Sequence, residues 1–225
     1  VLSGANPEYK YVALGEYTLT LTVTDKDGGK VTVTSIVKVG NTTSGELAVD
    51  ETWSGIHYIY GDVIVPEGIK LTIMPGTEVI ADGKPGEIQL KVKGVLIAGS
   101  GTVFRSVNKT PTGWKGIYVI GQASFDGVTV SNAERGLAIS GSEVTVNQCV
   151  FRENHLGIHV INARPLIKNT VFESNAWYGV KEDKGGRPIL IECTFIGNKR
   201  NYYHQTMTSI SVKQINDLPE NFGNK

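Results

Sequence analysis

A pattern that returns about every 22 residues constrains this chain more than any other feature. It runs Val128, Thr129, Val130, Ser131, Asn132, and then Cys149, Val150, Phe151, Arg152, Glu153, Asn154. It continues as Thr170, Val171, Phe172, Glu173, Ser174, Asn175 and Cys193, Thr194, Phe195, Ile196, Gly197, Asn198. The asparagines at 132, 154, 175 and 198 are roughly 22, 21 and 23 residues apart, a period of stacked supersecondary units. Gly136, Gly157 and Gly179 follow the first three asparagines, and each glycine opens a short segment. These segments are Leu137-Ala138-Ile139, Ile158-His159-Val160 and Val180-Lys181-Glu182. Each unit therefore reads as strand, asparagine turn, strand, which is one coil of a solenoid.

The stacking predicts columns of like residues along the axis, with strands about 4.8 Å apart. Phe151, Phe172 and Phe195 should form an aromatic stack, and Val146, Ile167 and Leu190 an aliphatic one. The four asparagines should form a turn ladder, because asparagine tolerates the left-handed conformation and its amide can bond to its neighbour. Outward positions after the glycines should align Tyr118, Ala138, His159, Lys181 and His204.

Upstream lies a different pattern. Leu19, Leu21 and Val23 alternate with Thr18, Thr20, Thr22 and Thr24, the period of a half-buried strand. Asp27-Gly28-Gly29 supplies a tight turn, and Val31–Val39 returns. Asn41-Thr42-Thr43-Ser44-Gly45 reads as a short polar linker. The expected domains are thus 1–40, a linker at 41–45, and 46–225.

Two resemblances follow from these residues. Asn6-Pro7-Glu8-Tyr9-Lys10-Tyr11, Gly15–Asp25 and the Asp27-Gly28 turn resemble the C-terminal half of a PKD-type β-sandwich domain. A lone hairpin with one apolar face is marginal in water, so the chain reads as a fragment of a larger protein. Val65-Pro66-Glu67-Gly68, Leu71-Thr72-Ile73, Pro75-Gly76-Thr77 and Trp114-Lys115-Gly116-Ile117 resemble the first coils of right-handed parallel β-helix domains. That resemblance spans roughly residues 50 to 205 and implies an all-β solenoid of about six to seven coils. It does not imply one activity, since the shape serves lyases, hydrolases, adhesins and stalks. The tail Asn216–Gly223 is expected to cover the open end.

Composition narrows the chemistry. Lys plus Arg equals Asp plus Glu at 22 each, which lacks the electrostatic footprint of a nucleic-acid binder. No apolar run reaches membrane-spanning length. Cys149 and Cys193 hold equivalent positions two coils apart, too far for a disulfide, and are expected as buried free thiols. Zinc is not expected, because His155 and His159 lie in a turn and strand, and His159 and His204 stand two coils apart. No cofactor is implied.

Glu182 and Asp183, with Arg187 close by, are the residues an enzyme would use, since glycan cleavage needs paired carboxylates across the bond. Gly185-Gly186 place that cluster at the tip of a solvated turn. The candidates for ligand contact are Tyr118, His159, Lys181 and His204, with Trp177, Tyr178, Tyr202 and Tyr203 in or beside the adjoining turns. Aromatic rings among polar groups can stack on sugar faces. The sequence therefore leads to a non-catalytic extracellular or cell-surface module for adhesion, spacing or polysaccharide contact. A β-helix lyase or hydrolase, and a structural protein that self-associates through the hairpin, are the alternatives.

Overall fold

The computed structural model describes residues 8–11, 15–141 and 143–204. The described residues form strands and no helix. Contacts divide the chain into two units, residues 1–41 and 42–225.

The first unit contains an antiparallel pair, Gly15–Thr24 and Lys30–Val39. Its register sets Leu21 opposite Val33 and Val23 opposite Val31, so the apolar residues share a face as the alternation predicts. Asp25 organises the turn: its Oδ1 accepts from the backbone N–H of Asp27 and of Gly29 at 2.9 and 2.8 Å. Gly28 supplies the positive φ of 87°. Asn6, Pro7 and the tail Asn216–Gly223 lie outside the described residues.

The second unit is a parallel β-solenoid of about seven turns, each turn contributing one strand to a seven-stranded wall. The other strands make a short-strand wall and a long-strand wall. Both join through Ile56–Val65, whose first half pairs with Glu78–Ala81 and whose second half pairs with Gln89–Val92. The stretch 41–45, expected as a linker, instead belongs to the strand Asn41–Glu46, which pairs with Ile56–Val65. Its β-branched pair Thr42-Thr43 suits extended backbone, and the Thr43 hydroxyl lies 2.8 Å from His57 Nε2.

The inner columns form as the period predicts. Phe151 pairs with Phe172 and Phe172 with Phe195, with ring centroids 5.7 and 4.9 Å apart. Val146, Ile167 and Leu190 also lie in register. The recurring glycine belongs to the same design. A methyl group on Gly157 would stand 3.0 Å from Phe172 Cδ1 and 2.4 Å from the Gly179 carbonyl oxygen. The next coils repeat the contact between Gly179 and Phe195, so an aromatic stack of this width excludes any side chain there. Cys149 and Cys193 are free and buried, and burial pushes the Cys149 thiol up to about 11.

The asparagine ladder differs from expectation by one residue in its first rung. Ser131 pairs with Arg152, which sets Asn132 opposite Glu153 and Ala133 opposite Asn154. The ladder therefore comprises Asn154, Asn175 and Asn198. Each carboxamide reaches backbone: Asn154 Oδ1 accepts from Ala133 N–H, and Asn154 Nδ2 donates to the Val130 carbonyl. Asn175 and Asn198 repeat both bonds one coil further on. The left-handed residue is the one before the ladder asparagine, namely Glu153 (φ 56°), Ser174 (φ 53°) and Gly197 (φ 62°). Asn132 itself is left-handed at φ 59° because it occupies that preceding position.

Candidate functional site

The outer surface of the long-strand wall carries the most chemically diverse cluster. Register aligns Lys91, Tyr118, Ala138, His159, Lys181 and Tyr203 in one outward column. Tyr203, not His204, completes it. The last coil has Asn201 where earlier coils have glycine, and the strand Arg200–Tyr203 pairs Tyr202 with Val180. His204 consequently comes level with Glu182 on the inward side.

Trp177, Tyr178, Lys181 and Tyr203 are brought together. Trp177 and Tyr178 lie with centroids 5.0 Å apart, and Tyr178 and Tyr203 5.4 Å apart. The Lys181 ammonium sits 5.8 Å from the Trp177 ring centre and 5.7 Å from that of Tyr203, within cation–π range. Arg200 lies 5.7 Å over Tyr178 and donates to its hydroxyl at 2.9 Å. His155 adds an edge, 5.3 Å from Trp177. Trp177 remains 37% exposed, which leaves ring surface open to a ligand.

Asp183 fixes the polar centre. Its Oδ2 accepts from Lys181 Nζ and from His159 Nε2, both at 2.7 Å. Burial alone would raise the Asp183 carboxyl, but the hydrogen bonds from Lys181 and His159 outweigh it and hold the group below its ordinary range. Burial lowers His159, against the opposing pull of Asp183. With Nε2 protonated toward Asp183, Nδ1 is the bare nitrogen, and it is buried without a hydrogen-bond partner. Asp183 was expected beyond the strand, yet Tyr178–Asp183 is one continuous strand and the turn begins at Lys184 (φ 52°).

Glu182 corrects the sequence reading most strongly. It was placed in a solvated turn but is 3% exposed. It continues an inward column of Val119, Ile139 and Val160. His204 Nδ1 bonds to its Oε2, and burial raises the Glu182 carboxyl against the pull of His204 and Arg187. Glu182 and Asp183 thus face opposite sides of one strand and cannot flank one glycosidic bond. Tyr202, grouped earlier with the turn aromatics, faces the interior opposite Val180. Tyr118 stays in the column three rungs from Lys181, where its hydroxyl accepts from Ser140 Oγ at 3.0 Å.

A second place was missed in the sequence. A shallow cavity of about 500 Å³ lies on the seven-stranded wall, lined by Ile97, Gln122, Ser124, Glu143, Thr145 and Arg164 among others. Period-two alternation could have exposed it, since these residues are the outward partners of buried ones. Among the described residues no group of three or more His, Cys, Asp or Glu could hold a metal ion. No described helix is long and apolar enough to cross a membrane.

A three-walled parallel solenoid with stacked aromatic and asparagine columns defines the class of protein. Residues 93–216, more than half of the chain, match the right-handed β-helix region family, and the chain belongs to it. No curated protein and no solved structure gives a significant match.

Proposed function

We propose that the chain is a non-catalytic module of a secreted or cell-surface protein and that it contacts polysaccharide. The partly exposed rings of Trp177 and Tyr203 on either side of Lys181 carry this reading, with buried Tyr178 packed against both. Rings of this kind offer apolar faces to the C–H surface of a sugar, while Lys181, Asp183 and Arg200 meet its hydroxyls. The partly exposed Trp177 is the natural contact, because its loss would leave the packed columns behind it untouched. Binding of the purified chain to an immobilised glycan panel tests the proposal. Wild type should retain at least one polysaccharide without releasing product, and Trp177→Ala should lose it with an unchanged thermal midpoint. A blank panel, or identical retention by the variant, overturns it.

The opposed orientations of Glu182 and Asp183 count against the lyase or hydrolase alternative. The hairpin favours a second reading of its own. Leu21, Val23, Val31 and Val33 are all more than half exposed and share one face in register, so that face is apolar and uncovered within its unit. We propose that this hairpin is part of a PKD-like sandwich, completed by further chain or by self-association. Molecular mass in solution across a concentration series separates the two, because only self-association makes the mass rise.

A further inference from the structure

We infer that the strand Asn41–Glu46 is an acid-released clasp on the first coil, closed only while the imidazole of His57 is uncharged. The strand pairs with Ile56–Val65 and with no other described strand. Five of its six residues are exposed, and the sixth, Thr43, bonds His57 Nε2 through its hydroxyl at 2.8 Å. Little apolar surface therefore meets water when the strand lifts. Strands within the stack differ, because they are paired on both sides and their inward residues are buried. Opening the clasp thus costs less than opening the stack. Leu47 bounds the opening, since its side chain is 4% exposed and its N–H donates to the Ile64 carbonyl at 2.9 Å.

His57 heads the inward column that continues through Val79, Phe104 and Val130. Its ring lies on Trp53 with centroids 3.9 Å and planes 12° apart. A stacked imidazole directs its N–H bonds along its own plane, so the indole face accepts from neither nitrogen. With Nε2 protonated toward Thr43, Nδ1 is a bare acceptor, buried and without a hydrogen-bond partner among the described residues. Protonation would set a charged N–H at that nitrogen, where it meets neither an acceptor nor water. The carboxylates on the packed elements do not compensate. Glu51 accepts from the Trp53 indole N–H at 2.7 Å, Glu78 is bonded to Arg105, and Glu46 ends the clasp exposed. Burial accordingly holds His57 down at about 4, against an ordinary 6.5. The closed clasp is fully favoured above pH 6.5 and loses that advantage as pH falls toward 4. Lifting the Thr43 strand is the shortest way to bring water to the ring, because it leaves the columns below intact. The first unit ends at residue 41, so the lifted strand becomes a tether that extends to about 20 Å.

Hydrogen exchange of the whole chain, read by mass spectrometry and corrected for intrinsic rates, tests the clasp. Between about pH 7.5 and about pH 4.5, protection across residues 42–46 should fall by up to roughly a hundredfold. The strands Val150–Arg152 and Val171–Glu173 should keep theirs. His57→Phe retains a ring on Trp53 and should abolish the pH dependence of the segment. Thr43→Val removes only the hydroxyl and should expose the segment already at the higher pH. A wild-type segment equally protected at both pH values overturns the clasp. So does a loss spread evenly through the coils, which is acid unfolding of the whole solenoid. A fall that persists in His57→Phe assigns the opening to another group and overturns it as well. Should His57→Phe not fold, Thr43→Val decides: protection equal to wild type at the higher pH overturns the clasp.

Discussion

The hairpin and the solenoid are both built from alternating strands, yet alternation produces different outcomes in them. In the hairpin, Val33 is 60% exposed although it sits on the apolar face opposite Leu21. In the solenoid, Phe172 is fully buried, with a ring above and a ring below. Alternation assigns residues to faces in both regions. Only repetition supplies the neighbouring strands and the opposing walls that turn a face into a core. The same period-two signal is thus a statement about burial in one region and only about direction in the other.

Truncating the aromatic column should sharpen this contrast most. Phe172→Ala removes the middle ring of three and leaves a cavity that Gly157 and Gly179 cannot fill, at a cost of about 3–5 kcal/mol. Chemical denaturation should show the loss as a lower midpoint. An unchanged midpoint would mean that the column does not carry the stack.

Acid should reach the first coils next. His57 is 4% exposed, stacks on Trp53 at 3.9 Å, and is lowered by burial from 6.5 to about 4. A depressed histidine contributes stability that is complete above pH 6.5 and is lost as pH falls toward 4. At about 1.4 kcal/mol per pH unit the loss approaches 3 kcal/mol. Thermal midpoints across that window should fall in wild type and flatten in His57→Phe. Parallel slopes in the two proteins would assign the acid sensitivity to other groups.

The regular columns were legible in the sequence because one physical constraint, registered stacking, repeats in each coil. Legibility failed wherever a coil departs from the repeat. Asn132 looked like a ladder residue by identity, but counting from Val128 and Cys149 sets it opposite Glu153, one place early. His204 was misplaced because the last coil lacks its glycine, and the count slipped by one when Asn201 took that position. Glu182 was read as turn because Gly185 and Gly186 follow closely, although Val180 and Glu182 lie on the same inward parity. Of the candidate site, the sequence put Trp177, Tyr178, His159 and Lys181 close together. Asp183 as their shared anchor depends on a diagonal contact across two strands, which no linear spacing reveals.

Glu182 offers a smaller test, since it is a polar residue at a position the stack makes apolar. Its carboxyl is raised above the ordinary 4.5, so it favours the fold below that pH and penalises it as pH rises through the elevated value. Glu182→Val would extend the column of Val119, Ile139 and Val160. His204, partly exposed, can then turn to water. The variant should gain about 1 kcal/mol near neutral pH, with less gain in acid. A destabilised variant at neutral pH would show that the Glu182–His204 pair holds the last coil.

The least effect belongs to the hairpin. Val33→Thr keeps the β-branched shape and changes only a largely exposed surface, so stability should move by less than about 0.5 kcal/mol if that face meets water. The same substitution distinguishes a face that is open from one covered by a partner. Were the hairpin packed against a second copy, a hydroxyl set into the apolar contact would lower the association constant and the mass in solution together. Sedimentation of the wild type and Val33→Thr at matched concentration therefore reads out whether repetition in space, supplied by another chain, does for the hairpin what repetition in sequence does for the solenoid.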